Sequence, residues 1–293
     1  MTESRQPTGP DGVIVTGAST GIGAACALHL DRLGFRVFAA VRKPEDGEAL
    51  ACRAGGRLQV IQLDVTNAAS IDAAIRQVAA AVGEAGLAGL VNNAGIGVTG
   101  PVEAVSLSEW RRQFDVNFLG ALAMTQACLP WLRRGRGRVI NMSSIAGRAT
   151  MPYMSPYAAS KHALEAMSDA LRIELQPFGV HVAVVEPGAI ATPIWGKSKQ
   201  NADEQHSGWS LEFRQLYGEG FTRVKDAAMK AGERGAPAEL VARAVAHALT
   251  AARPKTRYLV GRDAKIRALL TALLPDRLQD WLLTKLIALP PRA

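Results

Sequence analysis

Short, unbroken apolar runs alternate with segments of helical spacing along most of this chain, and that rhythm constrains its fold more than any other feature. Val13–Thr16, Arg36–Val41, Leu58–Leu63, Leu90–Val91, Arg138–Met142, Val180–Val185 and Arg257–Val260 are the runs. They do not alternate apolar with polar, which is the pattern of strands covered on both faces. Between them, Ile22, Cys26, Leu30 and Leu33 recur every three or four residues. Ser70 and Asp72 open what reads as a capped second helix, and Ser108–Trp131 reads as one long helix ended by the Gly135/Gly137 loop. Alternation of this kind predicts an α/β fold, a doubly wound parallel sheet of about seven strands with right-handed crossovers and helices on both faces.

The 293 residues are 48% hydrophobic, enough for a sizeable core and too apolar for disorder. The expected organisation is a flexible, polar N-terminus over 1–11, a single catalytic domain over 12–262 and an amphipathic helical extension over 263–293. Within the domain, 192–236 has scattered glycines and poor periodicity, as a substrate flap would. In the extension, broken at Pro275, Leu278, Trp281, Leu282, Leu286 and Leu289 share one stripe. Core packing or a subunit contact is the plain reading of that stripe, with peripheral membrane contact as the lesser alternative. Residues 1–11 lack the apolar stretch of a signal peptide, and no run approaches the roughly 18 apolar residues of a membrane span. Cys26, Cys52 and Cys128 are widely separated, without metal-ligand spacing. No metal is expected, and the location is expected to be cytoplasmic. The net charge of +8 includes the run Arg133, Arg134, Arg136, Arg138. Glycines rather than aromatics interrupt it, so a solvated loop is expected and nucleic acid is not.

Gly17, Ser19, Thr20, Gly21, Ile22 and Gly23 follow the first strand and open the first helix. Glycines there let the chain turn sharply, and the helix N-terminus offers free N–H groups to a phosphate. The same residues spell Gly-x-Ser-x-Gly, so a serine hydrolase with Ser19 as nucleophile is a rival. Further on, Tyr157 and Lys161 stand four apart in a predicted helix, which stacks phenol and ammonium on one face. A nearby cation favours phenolate, making the pair a sensible acid/base unit. Ser144, thirteen residues upstream of Tyr157, ends a strand, and Asn93, Ala94 and Gly95 end another. Asn117 lies in the long helix, and Pro187 and Gly188 close the sixth strand, with Ile190 and Thr192 next.

With TGASTGIG (16–23), LDVT (63–66), NNAG (92–95), Asn117, Ser144, YAASK (157–161) and PGAIAT (187–192) in order, the first two-thirds of the chain resembles the short-chain dehydrogenase/reductase family. The resemblance implies a Rossmann-like fold and an NAD(P)(H)-dependent oxidoreductase that interconverts a carbonyl and an alcohol. In that scheme Tyr157 trades the proton, Lys161 lowers the tyrosine pKa and holds the nicotinamide ribose, and Ser144 binds the substrate oxygen. Asn117 holds a relaying water, and Asp64 and Val65 meet the adenine. The second strand ends Val41-Arg42-Lys43, where NAD users carry an acid; Arg42 can pair a 2′-phosphate, so NADP(H) is favoured over NAD(H). Ile96, Met151, Met154, Ile190, Trp195, Trp209, Phe213, Leu216 and Phe221 predict an apolar pocket, hence a hydrophobic carbonyl or alcohol. An NAD-dependent hydroxysteroid-type dehydrogenase, a 3-oxoacyl-thioester reductase and a non-catalytic dinucleotide-binding regulator are the alternatives. Family members pair through two long helices, here near 108–132 and 157–178, which implies a homo-dimer or homo-tetramer.

Overall fold

The computed structural model describes residues 9–286. Seven parallel strands form one sheet: β1 (Gly12–Thr16), β2 (Arg36–Val41), β3 (Leu58–Gln62), β4 (Leu87–Asn92), β5 (Arg138–Met142), β6 (His181–Pro187) and, after a short pair β7 (Ile190–Ala191) and β8 (Ala236–Pro237), β9 (Arg257–Val260). Their spatial order is β3-β2-β1-β4-β5-β6-β9. The order reverses between β1 and β4, so the loops leaving those two strands diverge and open a crevice. The expected doubly wound α/β architecture is what forms.

The unbroken apolar runs follow from burial on both faces. Val13, Val15, Val37 and Ala39 pack on one side with α1 (Gly21–Arg32) and α9 (Ala238–Thr250). Their neighbours Ile14, Phe38 and Ala40 pack on the other with α3 (Ala68–Val82) and α5 (Gly120–Gly135). Each such side chain, fully buried, contributes about 1.5–3 kcal/mol.

Several elements differ from the sequence reading. A short helix α2 (Glu45–Ala51) intervenes unannounced before α3, whose N-cap is Asn67, with Oδ1 accepting from Ser70 N at 2.9 Å. Ser70 Oγ instead accepts from Asp64 N. The long helix is two, α4 (Leu107–Phe114) and α5, joined by a π-turn over Asp115–Leu119. The 192–236 segment is largely helical, as α7 (Ile194–Ser207) and α8 (Leu211–Glu233). Two helices, α10 (Arg262–Leu273) and α11 (Asp276–Leu286), come after β9, broken at Pro275; Leu289 of the predicted stripe and residues 1–8 of the predicted flexible terminus lie outside the described residues. Asp11 of that terminus forms an ion pair with Arg57.

Of the basic run, Arg133, Arg134 and Arg136 are exposed at the end of α5 and just past it, and Arg138 is half-buried. Arg133 sits over Phe178 and Arg134 over Trp131, while Arg138 donates to Ala248 O at 2.7 Å. Cys26 and Cys128 are buried and Cys52 exposed, all three free. Among the described residues, no group of His, Cys, Asp and Glu could hold a metal ion, and no helix is long and apolar enough to cross a membrane.

Candidate active site

A cavity of about 1090 Å³ runs along the carboxyl ends of the strands. At one end it is walled by the glycine loop, with Gly17, Ser19, Thr20, Gly21, Ile22 and Gly23, and by Arg42, Asp64 and Val65. Asn93, Ala94, Gly95, Pro187, Gly188, Ile190 and Thr192 continue the wall, and Ser144, Tyr157 and Lys161 complete it.

The glycine loop is fixed from behind by the end of β4. Thr16 Oγ1 accepts from Asn93 N and Ala94 N, while Asn93 Nδ2 donates to Thr16 O (2.9 Å) and Gly17 O (3.1 Å). Gly17 has φ +64°, and a Cβ there would lie 2.8 Å from Ala94 Cα. Only glycine meets both demands. Asn93 therefore clamps the turn with its side chain. Asp64 Oδ1 accepts from Thr66 N and Oγ1, and these bonds, more than the nearby Arg42 charge, hold its carboxyl below the usual range. Arg42 is exposed at the rim.

Tyr157 and Lys161 lie on α6 (Ser155–Glu174), with the ammonium 5.8 Å from the phenol ring centre. Lys161 Nζ donates to Met142 O at 2.7 Å, fixing it against the end of β5. Ser144 caps a 3-10 turn over Ile145–Gly147, its Oγ accepting from Ala146 N, and hydrogen-bonds the Tyr157 hydroxyl. Burial pushes the Tyr157 phenol up, and the hydrogen bond with Ser144 pulls it back. Lys161 is itself pushed down to about 8 by burial, against the Glu165 charge. In this state the phenol holds its proton and the site is set to donate it.

Asn117 does not line the cavity. It is buried behind the wall, where Oδ1 accepts from Ile96 N (2.8 Å) and Nδ2 donates to Ile96 O (3.0 Å) and Ser160 Oγ. The π-turn around it supplies the extra residue that turns this amide inward. Of the predicted pocket residues, Ile96, Met151, Met154, Ile190, Trp195 and Phe221 line the cavity, whereas Trp209, Phe213 and Leu216 do not. Trp209 packs on Phe221, Phe213 stacks on Tyr217, and Leu216 faces solvent, because α8 buries only one side. Among the described residues no histidine lines the cavity beside Ser19, which leaves the hydrolase rival without a base there.

Asp263 and Arg267, from α10, also line the cavity and carry no motif in the sequence. Asp263 Oδ2 accepts from Ala189 N at 2.7 Å, seventy-four residues away, and braces the loop after β6. Asp263→Ala is expected to cost about 1 kcal/mol and to weaken dinucleotide affinity. Thermal melts with and without dinucleotide check this; an unchanged ligand-induced shift would show that the brace is dispensable.

A family model described as short chain dehydrogenase matches residues 11–203. This chain belongs to the short-chain dehydrogenase family. As a member it is an NAD(P)-dependent oxidoreductase acting on alcohol or carbonyl groups. Among relatives, the chain is 37% identical over 278 residues to an NADPH-dependent 3-dehydrocapnine reductase of Ornithobacterium rhinotracheale, covering 93% of this chain and 95% of that one. It is 39% identical over 277 residues to mouse (Mus musculus) retinol dehydrogenase 16, covering 92% and 87%. Human (Homo sapiens) 17-beta-hydroxysteroid dehydrogenase type 6 is 37% identical over 292 residues, 96% of this chain and 90% of that one. A short chain dehydrogenase from Burkholderia cenocepacia, solved in complex with NADP, superposes at TM-score 0.70 with 27% identity, covering 96% of this chain and 99% of that one.

Proposed function

We propose that this dehydrogenase uses NADP(H) to interconvert a hydrophobic carbonyl compound and its alcohol, with Tyr157 as the proton-transferring group. The observation that carries the reading is that Ser144, Tyr157 and Lys161 share one cavity with the glycine loop. A dinucleotide would suit that loop because Gly17 and Gly23, where a Cβ would strike Ala94 Cα and Gly17 O, let the turn pack tightly and leave the N-terminus of α1 facing the cavity. When bound, the nicotinamide supplies or accepts a hydride.

The rest is work for the chain's own side chains. Ser144 and Tyr157 line the same cavity and hydrogen-bond each other, so both can hydrogen-bond a substrate oxygen as charge develops on it. Tyr157 Oη then releases its proton to that oxygen, or recovers it in the reverse direction. Lys161, anchored on Met142 O, places its ammonium beside the phenol on the cavity wall and would hold the nicotinamide ribose of a bound dinucleotide. Asn117 holds the Ile96 backbone, and with it the cavity wall, in place. The apolar side of the wall, Met151, Met154, Trp195 and Phe221, favours a substrate with a hydrophobic body. A panel of carbonyl compounds and alcohols, followed by nicotinamide absorbance, tests the substrate class; turnover confined to small polar carbonyls would overturn it.

The NADP(H) preference rests on Arg42 at the cavity rim, with Val41 rather than an acid before it. The NADPH-dependent relative and the NADP complex support the same preference. Arg42→Ala is expected to weaken NADP(H) binding roughly tenfold and leave NAD(H) unaffected. Equal loss with both dinucleotides, measured by titration, would remove Arg42 from the discrimination. The reading keeps a cytoplasmic enzyme and an assembly through the helices near 108–132 and 157–178, here α4, α5 and α6.

A further inference from the structure

Behind Lys161, away from the cavity, lies a group of charges with no part in the chemistry above. Glu165, one helical turn beyond Lys161 on α6, is 7% exposed, and Glu186, near the end of β6, is wholly buried. Arg257 of β9 donates through Nε to Glu165 Oε2 at 3.2 Å and lies 3.4 Å from Glu186 Oε1. Arg148, just past the 3-10 turn, donates to the same Glu186 Oε1 at 2.8 Å. The other two oxygens, Glu165 Oε1 and Glu186 Oε2, are buried and find no donor among the described residues, although the two carboxyl groups are in hydrogen-bonding contact with each other.

Two ionised carboxylates are disfavoured in this arrangement, even with Arg148 and Arg257 against them. Each would leave a bare oxygen in a low-dielectric interior, facing a like charge. The remaining charges nearby have their own partners. Asp169 and Arg172 of α6 pair with each other, and Asp169 also takes Arg257 Nη2. From α10, Arg267 donates to Ala149 O and Asp263 accepts from Ala189 N. Lys161 Nζ donates to Met142 O and not to either glutamate.

We propose that Glu165 and Glu186 share one proton between Glu165 Oε1 and Glu186 Oε2, and that the negative charge on Glu165 in this pair is a positioning element that keeps the buried Lys161 ammonium charged. One carboxyl then donates to the other, and both orphan oxygens are satisfied. Burial and the Glu165 charge raise Glu186 to about 7, and the Glu165 charge opposes the downward push of burial on Lys161. Arg148, Glu186 and Arg257 tie that charge to the sheet, while Glu165 carries it to the helix that bears Tyr157.

Infrared spectra of the full-length protein test the shared proton without reference to turnover. At a pH between 4.5 and about 7, the wild type is expected to show the carbonyl stretch of a buried protonated carboxyl, lost as the pH rises through about 7. Either Glu165→Gln or Glu186→Gln alone should abolish it, since the partner left behind ionises against arginine. Absence of the band in the wild type, or its survival in either variant, would overturn the sharing. The wild-type titration stands even if a variant fails to fold.

The link to Lys161 rests on the proposed catalytic reading, and is read separately. Glu165→Gln should move the alkaline limb of the turnover profile to lower pH by about one unit. Lower turnover with an unmoved limb would make Glu165 a purely structural residue. Absence of turnover at every pH in the wild type would instead sink the catalytic reading and leave the infrared result standing.

Discussion

Replacing Tyr157 by Phe is expected to lower carbonyl turnover by roughly 10²- to 10⁴-fold, the range lost with a positioned general acid. The ring packing survives, and the dinucleotide still binds, because the glycine loop and the Asn93 clamp are untouched. Measuring kcat alongside dinucleotide titration separates the two effects. Undiminished turnover would remove Tyr157 from the mechanism, and a parallel loss of binding would make it a structural residue. The pH dependence carries the same logic. Because burial raises the phenol and Ser144 lowers it, Ser144→Ala should leave Tyr157 still harder to ionise, so oxidation of an alcohol suffers more than reduction of a carbonyl.

The second large effect is expected at Gly23. A Cβ there would collide with Gly17 O and lie 2.5 Å from Asn93 Nδ2, against backbone and an already engaged amide. Gly23→Ala must therefore push the loop off its clamp, at about 1–3 kcal/mol of stability. Dinucleotide affinity should fall roughly 100-fold, about 2.7 kcal/mol. Thermal melts with and without NADP(H) decide the matter; a variant that still shows the full wild-type shift on adding dinucleotide would mean that the loop accommodates the methyl group.

The parallel sheet was legible because both its faces are covered, so Val13–Thr16 and Arg138–Met142 read as unbroken apolar runs. The residues of the glycine loop and the Tyr157–Lys161 pair were legible because their chemistry depends on close spacing along one turn. What stayed hidden depends on distant contacts. Nothing near Asp263 announces a bond to Ala189, and nothing near Glu186 announces Glu165. α7 and α8 escaped notice because glycines and polar residues interrupt their apolar spacing; Leu216 and Phe213, bulky and apolar, then look like pocket residues although α8 turns them away from the cavity. Position along the chain also says nothing of burial, which raises the Tyr157 phenol and lowers the Lys161 ammonium once the fold removes both from water.

The wide turn at Asp115–Leu119 absorbs one residue more than an ordinary helical spiral would hold. Deleting one residue there would restore that spiral and leave the downstream helix nearly unrotated. Met124 and Cys128 of α5 would still face the sheet, whereas Asn117 would swing off the Ile96 peptide. A single lost codon in this stretch would thus spare the core and strike the wall of the cavity.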